Sequence, residues 1–273
     1  MKTLSLWFNR YVNSSVHVAF AVCSLVGVTC LEFGISSTIS LLGFVFFATI
    51  TGYNFVKYAG VAKLHHRSLT NNLKMIQIFS LFCFIAMCYF AFQLPLEILI
   101  FSTPFVGLTF LYAVPFWSGF HKNLRQISYL KVMVVAFVWS GFTVLIPYIA
   151  SGKEMLSPVL LLGLQRFLIV MVLILPFDIR DVKYDAISLQ TIPTKIGVEK
   201  TKRVGLGLMV FVLLMEYAIN ANAVFKNTFM IFFFIVLVFL MRSKIEQSKY
   251  YSSFWVESLP LIWWLLILGF HNL

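Results

Sequence analysis

The sequence predicts an all-α integral membrane protein with nine transmembrane helices. Of its 273 residues, 60% are hydrophobic and only 11% are charged, whereas a soluble domain carries about 25% charged residues. Long apolar runs recur along the whole chain, and they lack the short alternating segments that are typical of a β-barrel. The composition therefore excludes a disordered chain, a fibrous protein and a nucleic-acid-binding domain.

Nine apolar runs account for the predicted helices in chain order. Most of them approach the roughly 17–20 residues that cross a bilayer, and the shorter runs require snorkelling flanks or tilted, buried helices. The second run follows the first so closely that eight helices remain the main alternative. No linker or repeat interrupts the pattern, so we expect one domain over 1–273. The runs are 16–31, 35–53, 75–92, 96–112, 130–149, 157–176, 204–220, 228–241 and 256–270.

The positions of lysine and arginine predict which side of the membrane each loop faces. With the N-terminus in the cytoplasm, the inner segments hold all of the 21 Lys and Arg residues except Lys153, Lys226 and Arg166. This imbalance follows the positive-inside rule, so the net charge of +11 needs no acidic partner. The long polar loops are also on this side. We therefore expect a protein of the cytoplasmic cell membrane, with its chemistry at the cytoplasmic face.

Three of the ten acidic residues are spaced so that they share one face of a helix. Asp178, Asp181 and Asp185 stand at i, i+3 and i+7, within an arc of about 60°. Converging carboxylates repel one another unless a cation lies among them, and hard oxygen ligands favour Mg²⁺. The alternative is a solvated loop in which the acids pair with basic neighbours such as Arg180 and bind nothing.

The residues around this triplet resemble the second Asp-rich motif of the UbiA family of intramembrane prenyltransferases. In that family a DxxDxxxD run is followed by Thr-x-Pro and a Gly, and residues 176–197 read PFDIRDVKYDAISLQTIPTKIG. All three aspartates match, and so do Thr191, Pro193 and Gly197. Lys195 takes a position that is often basic in the family.

The resemblance implies a nine-helix fold that transfers a prenyl group from an isoprenyl pyrophosphate to a hydrophobic, often aromatic, acceptor. Two Asp-rich motifs would hold Mg²⁺ on the pyrophosphate, and the metal would stabilise the leaving group. It implies Asp178, Asp181 and Asp185 as metal ligands, with Asp181 and Asp185 catalytic. Lys195, and Arg125 in the loop between the fourth and fifth helices, are implied as pyrophosphate contacts.

The first Asp-rich motif of the family is lost from this sequence. The family has an Asn or Asp followed at four-residue steps by Asp, but here Asn54 is followed by Tyr58, and residues 54–74 contain no acid. We predict that Asn54, which matches the start of the motif, contacts the pyrophosphate together with Lys57 and Arg67, since these two cationic side chains can stabilise the same anion as a metal. The alternative is that these cations only satisfy the positive-inside rule.

Two functions therefore stay open at this stage. The intact second motif favours a prenyltransferase with a divergent first motif. The lost first motif favours a non-catalytic isoprenoid-binding or membrane-complex protein on the same scaffold. A secondary transporter fits less well, since neither inverted halves nor paired broken helices are visible in the sequence.

Two charged residues fall inside predicted helices, where ionisable groups are costly. Arg166 is in the middle of 157–176, and Glu216 is four residues from the outer end of 204–220. Their depths differ by about 7 Å at 1.5 Å per residue, and a long arginine side chain can span that gap. We predict a structural Arg166–Glu216 pair between adjacent helices rather than a substrate site.

Overall fold

A computed structural model describes residues 2–64, 71–114, 130–154, 157–183, 191–219 and 222–271. All regular secondary structure within these ranges is helical, which confirms the predicted all-α class. The α-helices are α1 Lys2–Asn13, α2 Val16–Phe33, α3 Ile39–Leu64, α4 Asn71–Ala91, α5 Leu96–Ala113, α6 Leu130–Ser140, α7 Ile146–Ala150, α8 Ser157–Asp181, α9 Ile192–Ile196, α10 Val198–Ile219, α11 Ala223–Arg242 and α12 Leu259–His271.

Eight helical stretches in the described ranges are long and apolar enough to cross a membrane. Six of them are the single helices α2, α3, α4, α5, α8 and α11. The seventh runs through α6, the π-helical turn Gly141–Leu145 and α7. The eighth joins the π-helical segment Tyr251–Val256 to α12. The remaining predicted run corresponds to α10, which has 22 residues but carries Lys202, Arg203 and Glu216.

The helices differ in how much of their surface faces the protein. In α2, 61% of the apolar span is buried inside the protein, whereas in α4 only 6% of the span is buried. α2 packs against α3 and α12, and its Gly27 lies against the Trp264 ring in the space that a Cβ would need. α4 contacts mainly α3 and exposes large apolar side chains on its other faces, as expected of a helix in contact with lipid.

α1 is a short helix of different character. Its polar and apolar residues separate onto opposite faces, with Arg10 at its C-terminal end. Phe8 packs on the rings of Tyr250 and Phe254, whereas Trp7 is 67% exposed. This pattern is typical of a helix that lies in the membrane interface beside the bundle.

Arg166 is wholly buried in the middle of α8, as an intramembrane arginine requires. Its Nη2 lies 3.7 Å from Oε2 of Glu32, at the end of α2, and its guanidinium lies 5.0 Å from the Trp263 ring centroid. Glu216 acts on Arg166 electrostatically, and its Oε2 accepts a hydrogen bond of 2.8 Å from Gln165. Glu32 is therefore an acid at ion-pair distance from Arg166, and the predicted Arg166–Glu216 pair stays a prediction. α8 packs mainly against α10 and α6, and Arg166 interacts with an acid of α2 and with an acid of α10.

Candidate functional site

An apolar cavity of about 480 Å³ lies among α2, α3, α4, α5 and α6. α3 supplies much of its wall over 45–56, a length of about 16 Å at 1.5 Å per residue. The facing wall comes from 106–112 of α5, 134–139 of α6 and Phe142 of the π-helical turn, and α4 adds Phe84 and Met87. Cavities of this size and lining are typical of sites for apolar small molecules.

Small residues on one face of α3 leave room for this cavity. Ala48, Gly52 and Val56 are spaced by four residues, so they line the same side of the helix. A Cβ at Gly52 would meet only Thr109 Cγ2, at 3.6 Å, an ordinary contact distance. Gly141, the first residue of the π-helical turn, precedes Phe142 of the opposite wall, and the Phe105 ring occupies the space that a Cβ at Gly141 would need. Such turns often occur at functional sites.

Two aromatic residues connect the cavity to the outer surface of the bundle. Phe55 of α3 and Phe110 of α5 both line the cavity, and their rings stack with centroids 6.0 Å apart. Both side chains are also exposed, by 39% and 55%. The cavity therefore reaches the lipid-facing surface between α3 and α5.

Polar side chains occupy the cavity near the C-terminal part of α3. Trp139 Nε1 donates a hydrogen bond of 2.8 Å to the Tyr53 hydroxyl oxygen. Tyr53 also interacts electrostatically with Tyr112 and with Glu257. Tyr112 in turn interacts electrostatically with Lys131. Lys57 follows Val56 of the cavity wall, and Lys131 lies one turn before Val134 on α6, so both cations are next to one end of the apolar cavity; we call this end the mouth.

At the mouth, the C-terminal half of α3 holds the turn between α1 and α2. Asn54 is buried, and its Oδ1 accepts a hydrogen bond of 2.8 Å from Ser15 Oγ. Its Nδ2 donates to Ser14 O at 3.1 Å and to Ser80 Oγ at 2.9 Å. Lys57 Nζ donates to the same Ser15 Oγ at 2.8 Å. The amide of Asn54, predicted as a pyrophosphate contact, thus bonds to the protein through both of its polar atoms.

Ser15 adopts an uncommon backbone conformation at this point. Its φ is 65°, in the left-handed region that non-glycine residues seldom adopt. Such a conformation persists only when the surrounding contacts hold it, and it often occurs at functional sites. Here the side chains of Asn54 and Lys57 supply those contacts.

The end of α8 presents aspartates that are next to cations. Asp178 is wholly buried, and its Oδ1 lies 2.7 Å from Lys131 Nζ, near the start of α6. Asp181 is partly exposed, and its Oδ1 accepts a hydrogen bond of 2.8 Å from Arg180 Nε. The Arg180 guanidinium also lies over the Phe177 ring, 5.4 Å from its centroid. Protein cations therefore neutralise both of these carboxylates.

The described residues do not make a Mg²⁺ site by themselves. In the part of the chain that the structure describes, no group of three His, Cys, Asp or Glu side chains could share a metal ion. Asp178 fits a metal poorly, because it is enclosed and already compensated by Lys131. The third predicted ligand, Asp185, lies outside the described residues, as do Arg67 and Arg125.

Glu257 also belongs to the mouth, and it was not among the site residues predicted from the sequence. It follows the π-helical segment before α12, is half-buried, and interacts electrostatically with Lys57 and Arg180. Its position inside the predicted apolar run 256–270 is a signal that could have identified it, since ionisable residues within spans are often functional. Lys195, predicted as a pyrophosphate contact, is exposed on α9, which packs against α8 and α10.

Comparison with known proteins identifies the fold. No family model matches the sequence, and no curated protein matches it. A UbiA homologue from Archaeoglobus fulgidus, solved with GPP and Mg²⁺, aligns over 97% of this chain and 99% of its own, with a TM-score of 0.64 and 12% identity. An apo UbiA homologue from Aeropyrum pernix K1 aligns over 93% and 98%, with a TM-score of 0.69 and 14% identity.

A third solved structure, of a digeranylgeranylglyceryl phosphate synthase, aligns over 100% of both chains with a TM-score of 0.59 and 16% identity. The chain therefore has the fold of UbiA homologues over nearly its whole length. This confirms, at the level of the fold, the resemblance that residues 176–197 carry in the sequence.

Proposed function

We propose that this chain binds an isoprenyl pyrophosphate and transfers its prenyl group to a hydrophobic acceptor. The observation that carries the proposal is an apolar cavity of about 480 Å³ whose wall residues Val56 and Val134 stand near Lys57 and Lys131 on the same helices. An amphiphile with a branched apolar tail and a polyanionic head group matches these two environments. The structural neighbours support this choice, because the Archaeoglobus fulgidus homologue was solved with GPP and with DMAPP.

The proposed reaction makes simple demands on the residues of the mouth. The C1–O bond of the ligand breaks, its electrons leave with the pyrophosphate, a nucleophilic atom of the acceptor bonds to C1, and the acceptor proton passes to a base. Fixed cations near the mouth would stabilise the leaving group, and the apolar cavity would exclude water from C1. Glu257 is our candidate for the base. The lateral opening at Phe55 and Phe110 gives the ligand and a lipid acceptor a route from the bilayer.

The ion pairs at the end of α8 reduce the number of aspartates that can bind Mg²⁺. Asp178 is enclosed with Lys131, so Asp181 and Asp185 remain as the proposed metal ligands among the three aspartates. Mg²⁺ in proteins is commonly held by one or two carboxylates plus substrate phosphates, which is compatible with this smaller set. Lys195, Arg67 and Arg125 remain proposed contacts of the pyrophosphate.

A second candidate function is isoprenoid binding without catalysis on the same scaffold. The neutralised aspartates favour it, because a protein that only holds a lipid has no need of a metal-activated leaving group. An assay of pyrophosphate release from geranyl pyrophosphate by purified protein, with a prenylated acceptor as second readout, separates the two functions. Tight binding without pyrophosphate release would favour the non-catalytic candidate.

We further propose that α10 is a ninth span, that the N-terminus is cytoplasmic and that the chain is one domain in the cytoplasmic membrane. α10 packs against the spans α8 and α11, and one apolar core joins α2 to α12. Lys202 and Arg203, near its N-terminal end, can snorkel to the interface. Cysteines introduced at 122 and 153 should react with an impermeant reagent from opposite sides, and labelling from one side would refute this topology.

Filling the cavity tests ligand binding directly. Gly52→Leu places a side chain inside the cavity, where the wall tolerates a Cβ, so we expect loss of geranyl pyrophosphate binding with an intact fold. Gly107→Leu is the matched control, because a Cβ at that helical position meets no atom within 4 Å and Gly107 is exposed. Equal affinity of wild type and Gly52→Leu by equilibrium binding in detergent would exclude this cavity as the tail site.

A further inference from the structure

One side of α1 is fixed to the rest of the protein. The Phe8 ring lies edge-on to the rings of Tyr250 and Phe254, with centroid distances of 4.8 and 4.9 Å. Asn9 Oδ1 accepts a hydrogen bond of 2.7 Å from the Tyr250 hydroxyl and another from Lys249 Nζ. Because α1 is held at these points by the segment before α12, its opposite side points away from the bundle in a defined direction.

The opposite side of α1 carries Leu6, Trp7 and Arg10. At 100° per residue these three positions fall within an arc of about 100°, centred opposite Phe8 and Val12. Leu6 and Trp7 are exposed, and the Arg10 guanidinium lies 5.6 Å from the centroid of the Trp7 ring. Two large apolar side chains and a cation therefore share one exposed face, which we call the outward face of α1.

Lys249 adds a second cation at the border of the outward face. It is exposed, and the Asn9 side chain to which it is bonded belongs to the residue before Arg10. Its ammonium group also lies 5.4 Å from the centroid of the Tyr250 ring. An ammonium group has three donors, so the bond to Asn9 leaves two for an anion. The sequence of α1 contains no acidic residue that would compete for these donors.

We propose that the outward face of α1 and Lys249 form a binding surface for anionic phospholipids. Arg10 and Lys249 donate hydrogen bonds to the phosphate oxygens of lipid head groups, and Leu6 and Trp7 lie against the first carbons of the acyl chains. The guanidinium suits phosphate oxygens especially well, because its donors lie in one plane. None of these four residues lines the cavity, so the inference does not depend on the proposed function.

The chemistry of this surface fits a phospholipid better than a soluble anion. A soluble anion would leave Leu6 and Trp7 in water, whereas a phospholipid presents phosphate and hydrocarbon side by side. In a protein whose helices cross a membrane, a helix with tryptophan and arginine on one face is typical of the zone where head groups meet acyl chains. Two cations favour lipids with a net negative charge over zwitterionic lipids. If these cations only oriented the helices in the membrane, no lipid preference would depend on them.

Quenching of Trp7 fluorescence by brominated lipids tests this surface on the full chain in nanodiscs. Two samples contain phosphatidylglycerol and phosphatidylcholine in the same proportions, and the acyl chains of only one lipid, a different one in each sample, carry bromine. Subtracting the emission of Trp7→Phe isolates the signal of Trp7. We expect stronger quenching by the brominated phosphatidylglycerol. The difference should shrink at high salt, because salt screens exposed charges.

Removal of either cation should weaken the preference for phosphatidylglycerol. A basic residue near an anionic membrane surface favours binding by about fivefold, so Arg10→Gln and Lys249→Gln should each reduce the preference by about that factor. Arg10→Lys keeps the charge and should retain most of the preference. The matched control is Lys74→Gln, which removes an exposed cation at the start of α4 on the same side of the bundle. It should behave like wild type.

Four results would overturn the inference. The first is equal quenching of wild-type Trp7 by the two brominated lipids, and the second is an unchanged preference when Arg10→Gln and Lys249→Gln are combined. The third is an equal loss of preference in Lys74→Gln, which would make the effect one of total charge. The fourth is no quenching by either lipid, since the outward face would then be covered by protein. No isoprenyl pyrophosphate is present in these measurements, so they stand whether or not the proposed function holds.

Discussion

The C-terminal half of α3 and the end of α8 use their polar residues in different ways. At the end of α8, Asp178 and Asp181 each lie next to a cation, and the helix presents neutralised acids. In α3, Asn54 bonds to two other segments of the chain, and Lys57 carries the charge. A motif residue can therefore persist for a structural reason while its neighbour becomes the candidate for ligand binding.

The largest expected effect concerns the enclosed ion pair of α8. Lys131→Met should lower the free energy of unfolding by about 3–5 kcal/mol, because it leaves the wholly buried Asp178 carboxylate without compensation. Lys131→Met combined with Asp178→Asn should recover much of the loss. Unfolding of the purified protein in detergent, analysed as a double-mutant cycle, measures the coupling. Additive effects would show that the two side chains do not depend on each other.

A smaller loss of stability is expected in the C-terminal half of α3. Asn54→Ala should lower the free energy of unfolding by about 1–3 kcal/mol, because it leaves the buried Ser15 hydroxyl without its acceptor and removes the amide hydrogen bond to Ser80. Asn13→Ala is the control, since Asn13 is exposed on the nearby end of α1. Equal thermal stability of the two variants would show that Asn54 does not fasten the turn between α1 and α2.

The smallest effect on stability is expected for the exposed acid of α8. Asp181→Asn should change the free energy of unfolding by less than about 1 kcal/mol, because partly exposed ion pairs contribute little. It should nevertheless reduce the gain in geranyl pyrophosphate affinity that Mg²⁺ provides, because a ligand charge is removed. A titration in Mg²⁺ and in EDTA measures that gain. An unchanged gain would mean that Asp181 does not hold the metal.

The sequence was most informative about the helices, because each span must consist of a long apolar run. It also located Asp178 and Asp181, since their spacing on one helix is a local property. It could not show that Lys131 would neutralise Asp178, because that contact joins residues 47 positions apart. Glu257 and Glu32 were missed for the same reason, since only packing brings α12 to the mouth and α2 to Arg166.

The π-helical segments illustrate a second limit of sequence reasoning. Gly141–Leu145 and Tyr251–Val256 lie within predicted apolar runs, and hydrophobicity alone does not distinguish them from α-helix. Yet one of them shapes the cavity wall and the other precedes Glu257. A tertiary contact accompanies one of these local changes of helix type, since the Phe105 ring packs against Gly141.

The central claim is that the isoprenyl tail lies between α3 and the facing helices α5 and α6, with its head group at the mouth. Photolabelling with a geranyl pyrophosphate analogue that carries a diazirine on its tail, followed by mass spectrometry of the peptides, tests this claim most directly. We expect the photolabel on residues 45–56, 106–112 and 134–142, and we expect this labelling to disappear when unlabelled geranyl pyrophosphate competes. If the labelling that unlabelled ligand suppresses were confined to α10 and α11, the tail would not lie in this cavity.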